Sequence, residues 1–263
     1  MEIKRLDGRT CDQVRPVKIF FDALGYADSS VLFELGNTKV LASVILQQNV
    51  PHFLRGQKVG WLSAEYAMLP CATHQRTLRE SSQGNRNPRS VEISRLIGRC
   101  LRTCVNLEEL GERTILIDCD VLQADGSTRV AAITAASLAL EQAVLRWHTK
   151  RIIGKNIFTS AIAAVSVGMI NGTPRLDLCY EEDSSADADF NIVMTKSGDI
   201  VEIQGTAEKI AVNWKNFEQL RDLANKGITD LFAYFSEKTE PPQEPSVQKT
   251  QLFSLGNRIQ NQR

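Results

Sequence analysis

The side chains best suited to chemistry lie between a strand-like and a helix-like segment, in the stretch Asp125-Gly126-Ser127-Thr128-Arg129. A helix that starts near Arg129 leaves backbone N–H groups unpaired at its first turn, where the positive end of its dipole also lies. This arrangement favours an anion such as phosphate. Ser127 or Thr128 could alternatively act only as the helix N-cap, which is worth about 1 kcal/mol.

Arg129 is not explained by capping. A cation in the first turn of a helix opposes the dipole, at a cost of roughly a few tenths of a kcal/mol, so a negative group should compensate it. Bound phosphate is one candidate, and the carboxylate of Asp125 is the other. We predict a phosphate site at this junction, with Asp125 as the alternative partner of Arg129.

Acidic side chains cluster in the segment YEEDSSADADFN, which contains Glu181, Glu182, Asp183, Asp187 and Asp189 without a basic residue. An exposed acidic loop is the usual explanation for such a cluster. Asp189, however, leads directly into the apolar run FNIVM, which predicts that its carboxylate is held at a sheet edge. Mg²⁺ is typically bound by one or two carboxylates together with substrate phosphates, so a magnesium site is the alternative to an acidic loop.

Arginines are concentrated between Cys71 and Arg102, a segment with no lysine and only two acids, Glu80 and Glu92. Guanidinium groups bind phosphate oxygens bidentately and stack on bases, which favours a phosphate-rich ligand. The seven side chains are Arg76, Arg79, Arg86, Arg89, Arg95, Arg99 and Arg102.

These arginines fall into two groups by their spacing. Arg95, Arg99 and Arg102 follow i, i+4, i+7 spacing, which is equally typical of a solvated helix face. The other four lie in or beside a non-periodic stretch rich in Gly, Asn, Pro and Ser, where a structural use for arginine is less apparent. The combined set of an anion-binding helix start, loop arginines and paired carboxylates indicates phosphoryl chemistry on RNA or a nucleotide.

Composition limits the other possibilities. The 263 residues are 43% hydrophobic and carry zero net charge, so basic character is local. Six scattered cysteines and three separated histidines give little support for a zinc site or a nucleophilic triad. No G-x-x-x-x-G-K-[ST] loop occurs, which disfavours a kinase. Without a long apolar run or an apolar signal-peptide core, we expect a soluble cytoplasmic protein.

Periodicity and turn residues predict mixed secondary structure. Strand pairs are expected around Gly36-Asn37 within 31–46, through Asn171-Gly172, and at 196–199, with a further strand at 114–122. Helices are expected at 91–106, 129–147 and 217–235, the last with Asn216 as N-cap. Residues 236–263 are polar and contain three prolines, so we expect a disordered tail there, and the length of the rest of the chain allows one large domain or two small ones.

Several blocks together resemble the ribonuclease PH family of phosphate-dependent 3′-to-5′ exoribonucleases. They include LDGRTCDQVRPVKI, VLFELGNTKVL, RSVEISRLIGR, DCDVLQADGSTR, DFNIVMT and VEIQGTAE. The resemblance covers roughly residues 1–235, and it implies one catalytic domain over this range. It implies an α+β fold of mixed sheets and helices, the ribonuclease PH-like fold related to domain 2 of ribosomal protein S5.

The resemblance also implies roles for individual residues. Inorganic phosphate would be bound by Arg89, Ser127, Thr128 and Arg129. Asp183 and Asp189 would bind Mg²⁺ and, with Arg89 and Arg129, form the catalytic set. RNA would be held by Arg76, Arg79 and Arg86. This sequence has Cys71 where the family usually has arginine and Ser127 where it usually has glycine.

The implied activity is phosphorolytic trimming of transfer RNA 3′ ends and other RNA, a reversible nucleotidyl transfer that consumes inorganic phosphate and releases nucleoside diphosphates. The implied assembly is a homo-hexameric ring, a trimer of dimers. The alternative is a catalytically silent, RNA-binding ring subunit like those of the exosome. Silent relatives typically lose phosphate or metal residues, and this sequence retains Arg89, Thr128, Arg129, Asp183 and Asp189.

Overall fold

A computed structural model describes residue 5 and residues 7–82, 84 and 87–238 of the chain. Within them the chain forms two β-sheets and five α-helices, which confirms the α+β class. The strands are β1 (Val17–Phe21), β2 (Ser29–Leu35), β3 (Thr38–Gln47), β4 (Trp61–Met68), β5 (Thr114–Gln123), β6 (Ile162–Ile170), β7 (Thr173–Leu176), β8 (Ala188–Thr195) and β9 (Ile200–Ala207). The helices are α1 (Pro88–Arg102), α2 (Leu107–Leu110), α3 (Thr128–Thr149), α4 (Tyr180–Ser185) and α5 (Trp214–Lys238).

The first sheet has the order β1-β2-β3-β5-β4. The β2–β3 pair is the hairpin predicted around Gly36-Asn37. In β5, every second side chain from Ile115 to Val121 is buried, as the alternating pattern predicts. Strand β4 pairs parallel with β5, so the chain between them crosses over through α1, which packs on β4. This crossover places the start of α1 near the end of β5.

The second sheet has the order β7-β6-β8-β9 and is antiparallel throughout, with β6–β7 and β8–β9 as the two predicted hairpins. Helix α3 contacts β2 and β3 of the first sheet and β6 of the second, so it lies between the sheets. Every side chain from Val130 to Leu140 is buried. A helix covered on all sides needs an apolar surface all round, and the many alanines allow close approach.

Two helix starts differ from the sequence prediction. Helix α1 begins at Pro88 rather than 91, because Asn87 caps it by accepting a hydrogen bond from the Arg89 N–H at 2.9 Å, and proline suits the first helical position. Helix α1 ends at Arg102 rather than 106. The prediction that Asn216 caps the last helix is wrong, since α5 begins at Trp214 and Asn213 Oδ1 accepts from the Asn216 N–H at 2.9 Å.

The disordered tail was predicted for residues 236–263, and the structure describes only the first three of these. Residues 236–238 complete α5, whereas residues 239–263, most of the predicted disordered tail, lie outside the described residues. In the part of the chain that is described, no helix combines the length and apolar character needed to cross a membrane.

Candidate active site

One cleft of about 1020 Å³ brings together all the phosphate and metal candidates chosen from the sequence. They come from four places in the chain: the start of α1, the β5–α3 connection, α4 and β8. The six side chains on its wall are Arg89, Ser127, Thr128, Arg129, Asp183 and Asp189.

The β5–α3 connection needs an unusual backbone. Gly126 has φ +72°, and a Cβ at this position would lie 2.6 Å from the backbone carbonyl carbon of Cys179. Only glycine therefore allows this loop to lie directly against the segment that leads into α4. The contact joins the phosphate candidates to the chain that carries Asp183.

Ser127 occupies the N-cap position of α3 in the left-handed region, with φ +56°, yet its side chain makes no capping hydrogen bond. Its hydroxyl instead donates to the carbonyl of Leu178 at 2.8 Å and lies 2.7 Å from Ser166 Oγ. The alternative in which Ser127 serves only as a cap is therefore wrong. The helix start remains suited to an anion, because the Ser127 side chain does not satisfy its N–H groups.

Thr128 begins α3 and is buried, with its hydroxyl oxygen accepting a hydrogen bond from the Tyr66 hydroxyl at 3.0 Å. Accepting from Tyr66 leaves the hydroxyl hydrogen of Thr128 available to a ligand in the cleft. The threonine is thus held in one orientation and can still donate to a phosphate oxygen.

Arg129 does have an acidic partner, but the partner is not Asp125. Its Nη1 donates to Gln204 Oε1 at 3.0 Å and lies 3.4 Å from Glu92 Oε1. Asp125 lies instead 3.8 Å from Arg15 Nη1, so the prediction of Asp125 as the rival partner is wrong. The weak Glu92 contact reaches one guanidinium nitrogen and leaves the rest of the bidentate fork available to the cleft.

Arg89 extends from the first turn of α1, is exposed, and lines the cleft. The positive charges of Arg89 and Arg129 both act to lower the pKa of Asp183. The charges of both arginines therefore reach the Asp183 carboxylate within the cleft.

Two carboxylates of the cleft, Asp183 and Asp189, have raised pKa values. Desolvation is the main cause for both Asp183 and Asp189 and outweighs the neighbouring arginines. The charges of Asp183 and Glu208 raise the pKa of Asp189 further. Glu208 also lines the cleft. Sequence reasoning gave it no role, although it ends the VEIQGTAE block.

The carboxylates of the cleft are oxygen donors of the kind that bind a hard metal ion. Among the residues the structure describes, no group of three or more His, Cys, Asp or Glu side chains is arranged to hold one. Two oxygen-donor carboxylates that repel each other still fit Mg²⁺, because this ion keeps several waters and completes its shell with substrate phosphates. Asp183 and Asp189 are therefore compatible with Mg²⁺ as a two-carboxylate site.

Two of the predicted RNA-binding arginines, Arg76 and Arg79, do not line the cleft. Arg76 and Arg79 are exposed, and Arg79 acts electrostatically on Asp120, whose pKa it lowers against a larger effect of burial. Arg86 lies outside the described residues. The loop instead contributes Thr73, His74, Gln75 and Thr77 to the cleft wall.

A buried ion-pair network links two of the segments that form the cleft wall, α4 and the β5–α3 connection. We call it the arginine clamp: Arg5, Arg9, Arg15 and Arg175 with Asp177 and Glu182. Arg5 and Arg175 each donate to Glu182 Oε1 at 2.8 Å, next to Asp183 in the chain. Arg5 also donates to the carbonyls of Leu176 and Asp177 at 2.6 and 2.7 Å.

Arg15 connects the arginine clamp to the loop that contains the phosphate candidates. Arg15 donates to both carboxylate oxygens of Asp177, at 2.7 and 2.9 Å, and to the Asp125 carbonyl at 2.5 Å. Burial alone would raise the pKa of Asp177 and Glu182, but their arginine partners hold both below the ordinary values. Sequence reasoning missed this network, because nothing local marks these arginines as partners of acids far along the chain.

Comparisons with known proteins identify the family. Residues 13–146 match the family model described as 3′ exoribonuclease family, domain 1, and residues 160–227 match domain 2. The chain is 52% identical over 226 residues to ribonuclease PH of Neisseria meningitidis serogroup B, covering 86% of this chain and 93% of that protein.

Solved structures share the fold at low identity. A chain of the Archaeoglobus fulgidus exosome, solved with RNA bound to the active site, superposes with a TM-score of 0.73 at 22% identity, covering 89% of this chain and 93% of that one. Rice Rrp46 gives a TM-score of 0.72 at 17% identity, covering 90% and 100%. Sequence match and fold together show that this chain belongs to the ribonuclease PH family of 3′ exoribonucleases.

Proposed function

We propose that this protein is a phosphorolytic 3′-to-5′ exoribonuclease that trims transfer RNA precursors and other RNA and releases nucleoside diphosphates. The observation that carries the proposal is the convergence of Arg89, Thr128, Arg129, Asp183 and Asp189 on one cleft. Family membership supplies the reaction type, and the cleft has the groups that this reaction requires.

Inorganic phosphate is the co-substrate. It binds at the start of α3, where unpaired N–H groups and the helix dipole favour an anion. Thr128 donates its hydroxyl hydrogen, and Arg89 and Arg129 offset the negative charge. These contacts address the main barrier, which is the repulsion between phosphate and the phosphodiester it attacks.

The reaction is a direct in-line displacement. A phosphate oxygen forms a bond to the phosphorus of the terminal 3′,5′-phosphodiester, and the bond from that phosphorus to the 3′ oxygen of the preceding nucleotide breaks. The leaving 3′ oxygen takes up a proton, for which Asp183 or Asp189, with raised pKa values, is the candidate donor. Asp183 and Asp189 would also hold Mg²⁺, which when bound neutralises phosphodiester charge.

The backbone of the RNA upstream of the 3′ end would be held by arginines. Arg76 and Arg79 belong to the loop that contributes Thr73, His74, Gln75 and Thr77 to the cleft wall, and together with Arg86 they are our candidates for these contacts. Cys71, in place of the usual arginine, removes one such contact. A silent scaffold is the weaker alternative, because all five phosphate and metal residues are present and converge.

The family resemblance also leads us to propose a homo-oligomeric ring of six subunits in the cytoplasm. The six-subunit ring is tested by light scattering coupled to size-exclusion chromatography, where a ring has six times the mass of one chain. A monomer or dimer at micromolar concentration would contradict it.

The activity is tested by incubating the protein with Mg²⁺ and an RNA bearing an unstructured 3′ end, with and without inorganic phosphate. Nucleoside diphosphates released only in the presence of phosphate are the expected result. Monophosphates released without phosphate would mean hydrolysis, and RNA binding without release would favour the scaffold. Added diphosphates should also extend the RNA, because the reaction is reversible.

A further inference from the structure

A second cleft, of about 1030 Å³, adjoins the first. The two share the side chains of His74 and Tyr180 on their walls. Nothing in the proposed phosphate and metal chemistry uses this second cleft or the two rings.

The rings form an open aromatic pair. Their centroids are 6.2 Å apart and the planes are inclined by 56°, so they do not stack face to face. Tyr180 is 54% exposed, which leaves its ring surface accessible from the clefts. A flat π-face at the edge of a nucleic-acid site suits a stacked base.

Tyr180 also lies at a suitable distance from the chemistry. It is the first residue of α4, and Asp183 lies three residues later in the same helix. Residues three apart in a helix have Cβ atoms about 5–6 Å apart on one face. A base attached to the sugar beside a phosphodiester held at Asp183 therefore reaches the Tyr180 ring.

The second cleft suits a base better than a phosphate. Carboxylates outnumber cations on its wall and include Asp7, Glu34, Asp125 and Glu181. The cations there already face acids: Arg9 and Arg15 bind Asp177, and Lys18 lies 4.0 Å from Glu34. An RNA backbone would be repelled, whereas an uncharged base can hydrogen-bond to the wall.

We infer that His74 and Tyr180 form a stacking site for the nucleobase next to the scissile phosphodiester, with the base edge directed into the second cleft. The inference rests on the proposed exoribonuclease function and assigns the ligand of these two rings. Stacking on an aromatic ring tolerates all four bases, which suits an enzyme that removes successive nucleotides of any sequence.

The test is a double-mutant cycle in which a protein side chain and an RNA base are removed separately and together. Phosphorolysis (kcat/KM) and RNA affinity without phosphate, by fluorescence anisotropy, are measured for the unaltered protein, Tyr180→Ala and Tyr180→Phe. The substrates are an intact oligoribonucleotide and copies with an abasic residue at the terminal or the penultimate position. Phe53→Ala is the matched control, because Phe53 is also an exposed ring, at 60%, but lines neither cleft.

Tyr180→Ala is expected to weaken binding and lower kcat/KM about tenfold on intact RNA. Against RNA that is abasic at the stacked position, this variant and the unaltered protein should behave alike. Tyr180→Phe should retain the intact-RNA values, and His74→Ala should show a smaller loss with the same dependence on the base.

An equal loss for Tyr180→Ala on intact and abasic RNA, or no loss on either, would overturn the stacking site. Failure of the unaltered protein to release any nucleotide would instead contradict the proposed function. In that case the anisotropy cycle still decides the stacking site, because it requires no turnover.

Discussion

The arginine clamp and the cleft use the same residue types for opposite purposes. In the clamp, Arg5 and Arg15 are buried and each donates to a buried carboxylate. In the cleft, Arg89 is exposed, and the acid that Arg129 contacts, Glu92, is half-exposed and lies 3.4 Å away. Fully paired charges hold the structure, whereas incompletely paired charges are free to bind a substrate.

The carboxylates show the same contrast. Arginine partners lower the pKa of Asp177 and Glu182 in the clamp. Desolvation and neighbouring acids raise the pKa of Asp189 in the cleft. Glu182 and Asp183 are consecutive residues, yet their pKa values shift in opposite directions. The side of α4 on which a carboxylate lies thus decides whether it supports the fold or the chemistry.

The largest expected effect comes from breaking the clamp. Arg15→Met removes the guanidinium that binds both oxygens of Asp177 and leaves a buried charge poorly compensated. We expect a loss of about 3–5 kcal/mol in the free energy of unfolding, measured by urea denaturation. Arg146→Met is the control, because Arg146 also pairs through two nitrogens, with exposed Asp22, and should cost about 0–1 kcal/mol. Equal losses of unfolding free energy in the two variants would show that the arginine clamp stabilises the fold no more than a surface ion pair does.

The next effect comes from the cleft. Arg129→Ala should lower turnover about 100-fold or more at saturating phosphate, because one preorganised charge-stabilising donor is lost. Its unfolding free energy should change far less than that of Arg15→Met. Arg95→Ala, an exposed arginine of α1 that does not line the cleft, should leave turnover unchanged. Unchanged turnover for Arg129→Ala would exclude it from the mechanism.

The pH dependence should separate the two regions. Asp177 and Glu182 have lowered pKa values, so the stability they contribute is fully present above their ordinary values of 3.8 and 4.5. It is lost only as pH falls through the lower folded values. Asp183 and Asp189 have raised pKa values, so in the free site they begin to protonate above their ordinary value of 3.8. If they hold a divalent cation as proposed, its affinity should begin to fall in that range.

We therefore expect cation binding to fail on acidification before the fold does. Titration with Mn²⁺, followed by its electron paramagnetic resonance signal, and far-UV circular dichroism over the same pH series would measure both. Unfolding at a higher pH than the loss of Mn²⁺ binding would contradict the assignment. Asp183→Asn and Asp189→Asn should bind Mn²⁺ weakly at all pH values while remaining folded.

The smallest effect concerns Ser127, which has the backbone conformation of a glycine but makes side-chain hydrogen bonds. Ser127→Gly relieves about 1 kcal/mol of backbone strain and loses bonds of similar worth, so the net change should be below about 1 kcal/mol. Ser127→Ala keeps the strain and loses the bonds. It should therefore be less stable than Ser127→Gly by about 1 kcal/mol in thermal unfolding, and the reverse order would show that the left-handed backbone at residue 127 costs nothing.

Much of the fold follows from local patterns. The strand at 114–122 appears as Thr114–Gln123, and the helix expected at 129–147 appears as Thr128–Thr149. The ends of helices were less predictable where two nearby polar residues could each serve as the N-cap. Asn216 and Asn213 both suit an N-cap, and only the path of the chain before α5 decides between them.

The candidate site was predictable in its residues and not in its arrangement. Family motifs marked Arg89, the Ser127-Thr128-Arg129 tripeptide and the two aspartates, all of which line the cleft. Nothing local indicated that Glu92 rather than Asp125 faces Arg129, because the two acids are equally plausible by type. The same holds for Glu208, which joins the carboxylates only through the pairing of β9 with β8.

The sequence by itself determined seven of the strands (β2, β3 and β5 to β9), the three longer helices (α1, α3 and α5) and a helix start suited to an anion, because periodicity, turns and dipoles depend on neighbours along the chain. Only the tertiary structure decided which charges are paired. Arg15 and Asp177 are 162 residues apart, and Arg5 and Glu182 are 177 apart. Whether an arginine supports the fold or binds a ligand depends on burial and on the acid it meets, and both arise only when the two sheets close around α3.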